Sequence, residues 1–135
     1  MNITTALITG ASTGIGKELA TIHASKGGNL IIVARNESKL NKLKQELEQK
    51  YNVKVVIIIK DLSDLNAPQE IYNEVKQLCI NIDYLINNAG FGALGKFHEI
   101  ELARQISMIN LNITSLTALT HLFLPEFVQR NNGKI

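Results

Sequence analysis

Three glycines in a stretch of seven residues are the first sign of a ligand site. Gly10, Gly14 and Gly16 stand between the apolar run 6–8 and a helical pattern that begins near Ile15. Because glycine has no Cβ, the backbone can turn sharply here and come close to a bulky group. A helix that starts directly after such a turn presents free N–H groups and the positive end of its dipole to an anion. The stretch predicts a pyrophosphate site, although a tight strand-to-helix connection without a ligand would use the same residues.

Histidine and cysteine give no second site of this kind. His23, His98 and His121 lack metal-ligand spacing to cysteine or acidic partners, so we predict no metal site. Cys79 is the only cysteine in the sequence, which excludes an intramolecular disulfide and is typical of a reducing cytosol. We predict that Cys79 packs on a helix.

Composition and charge narrow the class of protein. The 135 residues are 45% apolar and 19% charged, which is ordinary for one globular domain. The net charge is +2 without a dense run of lysine or arginine, so we predict neither nucleic acid nor a membrane as a partner. The first five residues lack the pattern of a signal peptide, and no run reaches membrane-spanning length. We expect a cytoplasmic protein with a small ligand.

Apolar runs and helical repeats alternate along the chain. Strands are predicted at 3–9, 30–34, 53–59 and 82–86, because these runs are dense in Val, Ile and Leu. The helices between them are marked by Ile15, Leu19, Ile22 and His23; by Leu40, Leu43 and Leu47 behind an Asn36 cap; and by Ile71, Val75, Leu78 and Cys79 behind Asn66 and Pro68. This alternation favours a parallel sheet with right-handed crossovers.

A long helical stretch, 102–130, is apolar on two sides, with a bend expected at Pro125. The two sides are marked by Ile106, Ile109, Ile113 and Leu116, and by Leu119, Leu122 and Phe123. One side must cover the sheet. Because a large exposed apolar patch is unusual on a monomer, the other predicts a partner, either later chain or a second subunit. Residues 131–135 resemble a turn and the start of a fifth strand, so we expect a longer parent chain.

Four motifs, placed on these elements, resemble those of the short-chain dehydrogenase/reductase family. Residues 9–16 resemble its cofactor turn, and 61–62 the acid that closes its third strand. Residues 87–90 resemble its Asn-Asn-Ala-Gly signature, and Asn110 matches the asparagine of its catalytic tetrad. The resemblance implies an α/β fold, an incomplete Rossmann-type doubly wound parallel sheet with strand order 3-2-1-4 and the start of a fifth strand. Residues 1–135 would be the dinucleotide-binding N-terminal part of one domain.

The resemblance assigns most of these residues to the adenosine and phosphates of a dinucleotide. The expected cofactor-binding residues are Gly10, Ser12, Thr13, Gly14, Ile15, Gly16, Arg35, Asp61, Leu62, Asn88, Ala89 and Gly90. In the family, the acid at Asp61 takes the adenine amino group while Leu62 packs beside the ring. Without the resemblance, Asp61 is an ordinary acid near a helix start and 87–90 is a polar turn.

Arg35 decides which dinucleotide is expected. An NAD site usually places an acid at the end of the second strand for the ribose 2′-OH, whereas the 2′-phosphate of NADP calls for an arginine. Here the strand closes with Val33-Ala34-Arg35, and no acid occupies the position. NADP(H) is therefore favoured over NAD, with the hydroxyl of Ser12 as a second group near the same phosphate. A solvated arginine in a loop is the alternative interpretation.

Asn110 is the catalytic residue that the resemblance assigns to this chain. In the family, the corresponding asparagine holds an ordered water that links the catalytic lysine to solvent. An asparagine inside a helix has poor propensity, because its side chain competes for backbone hydrogen bonds. The alternative is a polar residue tolerated on a helix edge, as Asn112 shows close by.

The family's serine and its Tyr-(three residues)-Lys pair are expected downstream of Ile135. Tyr72 and Lys76 have the spacing of that pair and share one helix face. Their helix follows the third strand rather than the fifth, so we predict a solvated surface pair there.

The implied activity is hydride transfer between NADP(H) and a carbonyl or alcohol substrate. The given chain would hold the adenosine and phosphate half of the site and would have no turnover alone. The apolar second side of the 102–130 helix indicates a homo-oligomer, a dimer or tetramer, as relatives pair through helices in this region. The alternative is a non-catalytic nucleotide-binding or interaction module.

Overall fold

Strands and helices alternate along residues 3–135, the part of the chain that the computed structural model describes. Met1 and Asn2, in the N-terminal stretch where no signal peptide is predicted, lie outside the described residues. The strands are β1 Thr5–Thr9, β2 Asn29–Ala34, β3 Val55–Ile59 and β4 Tyr84–Ile86. The helices are α1 Gly14–Ser25, α2 Glu37–Tyr51, α3 Ala67–Gln77, α4 Leu102–Ile109 and α5 Leu116–Arg130. A 3-10 turn, Phe97–Glu99, precedes α4, and a π-helical segment, Asn110–Ser115, joins α4 to α5.

All four strands are parallel, in the order β3-β2-β1-β4, which confirms the predicted order 3-2-1-4. Neighbouring positions of one strand point to opposite sides, and both sides are buried. Leu7 faces a core completed by α3 and α5, whereas Ile8 faces a core completed by α1 and α2. Coverage on both faces explains why the strands are continuous apolar runs rather than alternating ones.

A parallel bridge extends the sheet beyond β4. The backbone N–H of Lys134 donates to the carbonyl of Asp83, and the N–H of Leu85 donates to the carbonyl of Lys134, both over 2.9 Å. Lys134 thus pairs where the sequence predicts the start of a fifth strand.

The helical repeat that predicts α1 packs only in part on the sheet: Leu19 contacts the core, but Ile15 and Ile22 do not lie in it. Ile15 and Ile22 have 73% and 50% of their surface exposed, whereas Gly16, Ala20 and Ala24 are buried. The helix lies close to the sheet, so small residues make the contact. A search for large apolar side chains at helical spacing cannot detect such a face.

Cys79 does not pack on a helix, contrary to prediction. Helix α3 ends at Gln77, and Cys79 is exposed with a φ of 53° in the turn that leads toward β4. Leu78 is also exposed. Ile71 and Val75, one helical turn apart, already fill the core beneath α3.

The stretch 102–130 is not one α-helix, because the π-helical segment Asn110–Ser115 interrupts it. Its two apolar sides lie as predicted: Phe123 is buried against the sheet, whereas Ile109 and Ile113 are exposed. Pro125 lies inside α5, which continues to Arg130. No helix of residues 3–135 combines the length and apolar character needed to cross a bilayer.

Tyr72 and Lys76 are not a solvated pair, because both contact Glu126 on α5. The hydroxyl of Tyr72 donates to one carboxylate oxygen over 2.8 Å, and the ammonium of Lys76 donates to the other over 2.6 Å. Partial burial works to raise the pKa of Glu126, but the bonds from Lys76 and Tyr72 outweigh burial and lower it. The Tyr72–Glu126–Lys76 cluster therefore joins α3 to α5.

Candidate functional site

A cavity of about 510 Å³ lies at the carboxyl ends of the parallel strands, where doubly wound sheets bind ligands. Ten of the predicted site residues line it: Gly10, Ser12, Thr13, Ile15, Arg35, Asp61, Leu62, Asn88, Ala89 and Gly90. Gly14, Gly16 and Asn110 are not among the lining residues. The fold thus brings together segments that are far apart in sequence, such as Gly10 and Gly90, which are 80 residues apart.

The glycine turn between β1 and α1 has no room for side chains at two positions. Gly10 has a φ of 67°, and a Cβ there would lie 2.8 Å from the Cα of Ala89. A Cβ on Gly16 would meet the carbonyl of Gly10 and, at 2.5 Å, the amide nitrogen of Asn88. These two glycines let β1, α1 and the end of β4 approach one another.

The N-terminus of α1 opens into this cavity without a side-chain cap. Thr13 is the N-cap residue in extended conformation, its side chain makes no capping bond, and the first turn contains no acid. Ser12, Thr13 and Ile15 line the cavity around the helix start. The first N–H groups of α1 and its positive dipole end therefore suit a phosphate.

Thr9 connects the ends of β1 and β4. Its buried hydroxyl accepts the backbone N–H groups of Asn88 and Ala89, each over 3.0 Å. In return, the side-chain amide of Asn88 donates to the carbonyls of Thr9 at 3.0 Å and Gly10 at 3.2 Å. Sequence reasoning did not single out Thr9, although a threonine that closes an apolar strand beside a glycine was visible.

The Arg35 end of the cavity is rich in charge. Nη1 of Arg35 lies 3.7 Å from Oδ2 of Asp61, and both side chains are exposed. Lys39 and Lys60 line the same cavity. Lys60 pairs with Glu70, whereas no ion pair forms to Lys39 within residues 3–135.

Asp61 is held by its own loop. Its Oδ1 accepts the backbone N–H of Ser63 over 2.9 Å and the Ser63 hydroxyl over 2.7 Å. Partial burial works to raise the pKa of Asp61, but the Ser63 bonds and the charge of Arg35 outweigh it and lower the pKa. Asp61 is therefore an anion with free acceptor capacity on the cavity side.

Asn36 and Lys39 show how α2 begins beside the cavity. The Asn36 side chain accepts the backbone N–H of Lys39 over 2.9 Å, which confirms the predicted cap. The cap fixes the first turn of α2, so that Lys39 projects from a defined helix start next to Arg35.

Asn110 opens the π-helical segment and is partly buried. Its side chain makes no hydrogen bond with the described residues, whereas the next residue, Leu111, lines the cavity. Asn112 makes two bonds instead, both to the backbone of Phe91. The signal in the sequence is the unfavourable place of an asparagine inside a helix, since its side chain tends to bond to backbone groups.

Comparison with known proteins agrees with this architecture. A family model described as short chain dehydrogenase matches residues 4–135. The chain is 39% identical over 137 residues to an NADP-dependent 3-hydroxy acid dehydrogenase of Schizosaccharomyces pombe, a match that covers 97% of the chain and 51% of that protein.

Two solved structures have closely similar backbones. The bulky-bulky ketone specific alcohol dehydrogenase from Comamonas testosteroni has a TM-score of 0.92 at 34% identity, over 98% of this chain and 53% of that one. A short-chain dehydrogenase from Sphingobium yanoikuyae, in complex with NADPH, has a TM-score of 0.91 at 34% identity, over 97% of this chain and 51% of that one. The chain spans about half the length of each of these proteins.

Proposed function

Because the chain belongs to the short chain dehydrogenase family, we propose that it forms the dinucleotide-binding part of an NADP(H)-dependent oxidoreductase. The reaction is hydride transfer between the nicotinamide and a carbonyl or alcohol carbon. The observation that carries the proposal is the cavity itself, which runs from the uncapped start of α1 to the cationic Arg35. When bound, the cofactor supplies the hydride chemistry, and this chain supplies binding and orientation.

The residues around the glycine turn fit the pyrophosphate. The free N–H groups of the first turn of α1 and the hydroxyl of Thr13 would donate to its oxygens, whereas the Ser12 hydroxyl would serve the 2′-phosphate. Gly10, where a side chain would collide with Ala89, would keep the turn close to the end of β4 beside the phosphates. The fit is specific to an anion, because this helix start has neither a cap nor an acidic residue to satisfy its donors.

The Arg35 end fits the adenosine 2′-phosphate. The guanidinium of Arg35 and the ammonium of Lys39, which line this end, would hold it, while Asp61 would accept the adenine amino group beside Leu62. Two relatives support this choice of cofactor: the dehydrogenase of S. pombe is NADP-dependent, and the S. yanoikuyae structure contains NADPH.

We propose that Asn110 holds a water in the proton relay. We also propose that the family's serine and its Tyr-(three residues)-Lys pair lie outside the given chain. The exposed apolar side formed by Ile106, Ile109 and Ile113 is proposed to pack against a second copy in a dimer or tetramer. A cytoplasmic location is proposed from the single cysteine and ordinary charge.

The test is a cofactor titration of the intact natural protein, with its mass determined in the same preparation. NADPH fluorescence should show tight binding of NADPH and weaker binding of NADH, and a panel of ketones and aldehydes should oxidise NADPH. A protein that binds neither nucleotide would contradict the proposal. The result would favour the non-catalytic nucleotide-binding module instead if the intact mass corresponds to 135 residues and the protein binds NADPH without turnover.

A further inference from the structure

We propose that Asn112 is a positioning residue that fixes Phe91 against the π-helical segment and so holds one wall of the cofactor cavity in place. The inference rests on the proposed function, because it concerns the cavity assigned to NADP(H). Nothing in the residue pattern of the cofactor motifs points to Asn112, whereas its hydrogen bonds do.

The contact between Asn112 and Phe91 uses both polar atoms of the side-chain amide. Nδ2 of Asn112 donates to the carbonyl of Phe91 over 2.9 Å, and the backbone N–H of Phe91 donates to Oδ1 over 3.2 Å. A pair of opposed bonds to one residue's backbone fixes orientation as well as distance. This pair, the Asn112–Phe91 clamp, joins segments that are 21 residues apart.

The clamp joins two parts of the cavity wall. Phe91 lines the cavity directly after the 87–90 motif, and Leu111, next to Asn112, lines it from the opposite segment. The same segment begins with Asn110, so the clamp also sets how Asn110 stands relative to the cavity. Residues 87–96 form neither helix nor strand, so the position of Phe91 depends on such attachments.

The lack of a side chain at Gly90 leaves room for the amide of Asn112. A Cβ on Gly90 would lie 3.0 Å from Oδ1 and 3.8 Å from Cγ of Asn112. Apart from the chain neighbours of Gly90, no other atom of the described residues would lie within 4 Å of that Cβ. Gly90 is not among the residues with positive φ, so its backbone would accept alanine. Among the residues that the structure describes, the amide of Asn112 is therefore the group that a methyl at Gly90 would meet.

This pairing allows a double-mutant cycle in the intact protein. The variants are Asn112→Ala, Gly90→Ala and the double variant, each titrated with NADPH and with NADH by fluorescence. Asn112→Ala should weaken both nucleotides by a similar factor, about five- to tenfold, the scale of one hydrogen bond. Because Gly90 itself lines the cavity, the coupling between the two positions is the readout: Gly90→Ala should weaken binding less in the Asn112→Ala background than in the wild-type background.

A pH profile separates positioning from general loss of structure. Asn112→Asp keeps an acceptor for the N–H of Phe91 but sets a carboxylate oxygen against its carbonyl, 2.9 Å away in the wild type. The ratio of its NADP⁺ dissociation constant to that of wild type should fall as the pH is lowered from about 6 to 4, toward the ordinary aspartate pKa, since only a protonated acid can donate. Asn112→Ala should show no such trend. Thr114→Ala, an exposed change in the same segment, is the matched control and should bind like wild type.

Each result of these titrations supports or overturns the proposed role of Asn112. The clamp is overturned if wild type binds NADPH and Asn112→Ala binds it equally well. It is also overturned if Gly90→Ala has an equal effect in both backgrounds. Either result leaves the proposed function standing. Wild type that binds neither nucleotide overturns the proposed function, and the clamp with it. If Asn112→Ala does not fold, Asn112→Asp at pH 8 decides, because it keeps the acceptor for Phe91 and loses the donor; wild-type affinity in that variant overturns the inference.

Discussion

Arg35 and Asp61 face one another across the mouth of the cavity, with 3.7 Å between Nη1 and Oδ2. The arginine proposed for the 2′-phosphate thus already lies beside an anion. Both groups are exposed, so this contact is weak and is screened by salt. A phosphate dianion can therefore replace the carboxylate as the partner of Arg35 at small cost.

Arg35→Ala should weaken NADPH binding by about 1.5–3 kcal/mol, the size of a charged hydrogen bond, and leave NADH binding nearly unchanged. The reason is that only NADPH carries the 2′-phosphate. Fluorescence titration with both nucleotides measures the difference. Lys26→Ala, which removes an exposed charge from the far end of α1, is the control. An equal loss for NADPH and NADH would show that Arg35 does not discriminate between them.

Thr9→Val should destabilise the protein by about 2 kcal/mol, because it leaves two amide N–H groups without their acceptor. Those groups belong to Asn88 and Ala89. Thr9→Ser keeps the hydroxyl and should recover most of the loss. Urea unfolding of the three proteins tests this, and a valine variant as stable as wild type would mean that the hydroxyl is dispensable.

Gly16→Ala should cost about 1–3 kcal/mol of stability, as overpacking does elsewhere in protein interiors. The new methyl would press on the carbonyl of Gly10 and the amide of Asn88, neither of which is the free end of a long side chain. Gly92→Ala is the matched control, since no atom lies within 4 Å of the added Cβ and the φ of Gly92 is not positive. Thermal melts should separate the two variants clearly.

The Tyr72–Glu126–Lys76 cluster should make stability depend on acid pH. The pKa of Glu126 is lowered in the folded protein, so its contribution is complete above the ordinary glutamate pKa and is lost as the pH falls through the lower folded value. Wild type should therefore lose more stability than Glu126→Gln between about pH 6 and pH 3. Urea midpoints across that range measure it; parallel curves for the two proteins would contradict the prediction.

The layered sheet could be predicted because its evidence is local. Four runs dense in β-branched residues, each followed by a helical repeat, predict a parallel sheet. The motifs at the strand ends predict its strand order through their resemblance to those of the family. The inner face of α1 could not be predicted in the same way, since Ala20 and Ala24 carry it and alanine gives little periodic signal.

The parts of the site that escaped prediction depend on tertiary contacts. The cavity-lining role of residues such as Lys39 follows from where α2 starts, not from a motif. Asn112 finds its partner 21 residues away, and no local rule selects Phe91 for it. The role of Glu126 as the shared partner of Tyr72 and Lys76 likewise requires the packing of α3 on α5.

The π-helical segment 110–115 also preserves the rotational phase of α5. A wider turn accommodates one residue more than an α-helical turn, so the extra residue is absorbed within the turn and the helices on either side keep their relative phase. Leu119 and Phe123 can therefore face the sheet as they would in an uninterrupted helix one residue shorter. Deleting one residue of the segment should close it into an α-helical turn with little change in the packing of α5. The loss would fall instead on the Asn112–Phe91 clamp and on Leu111 at the cavity wall.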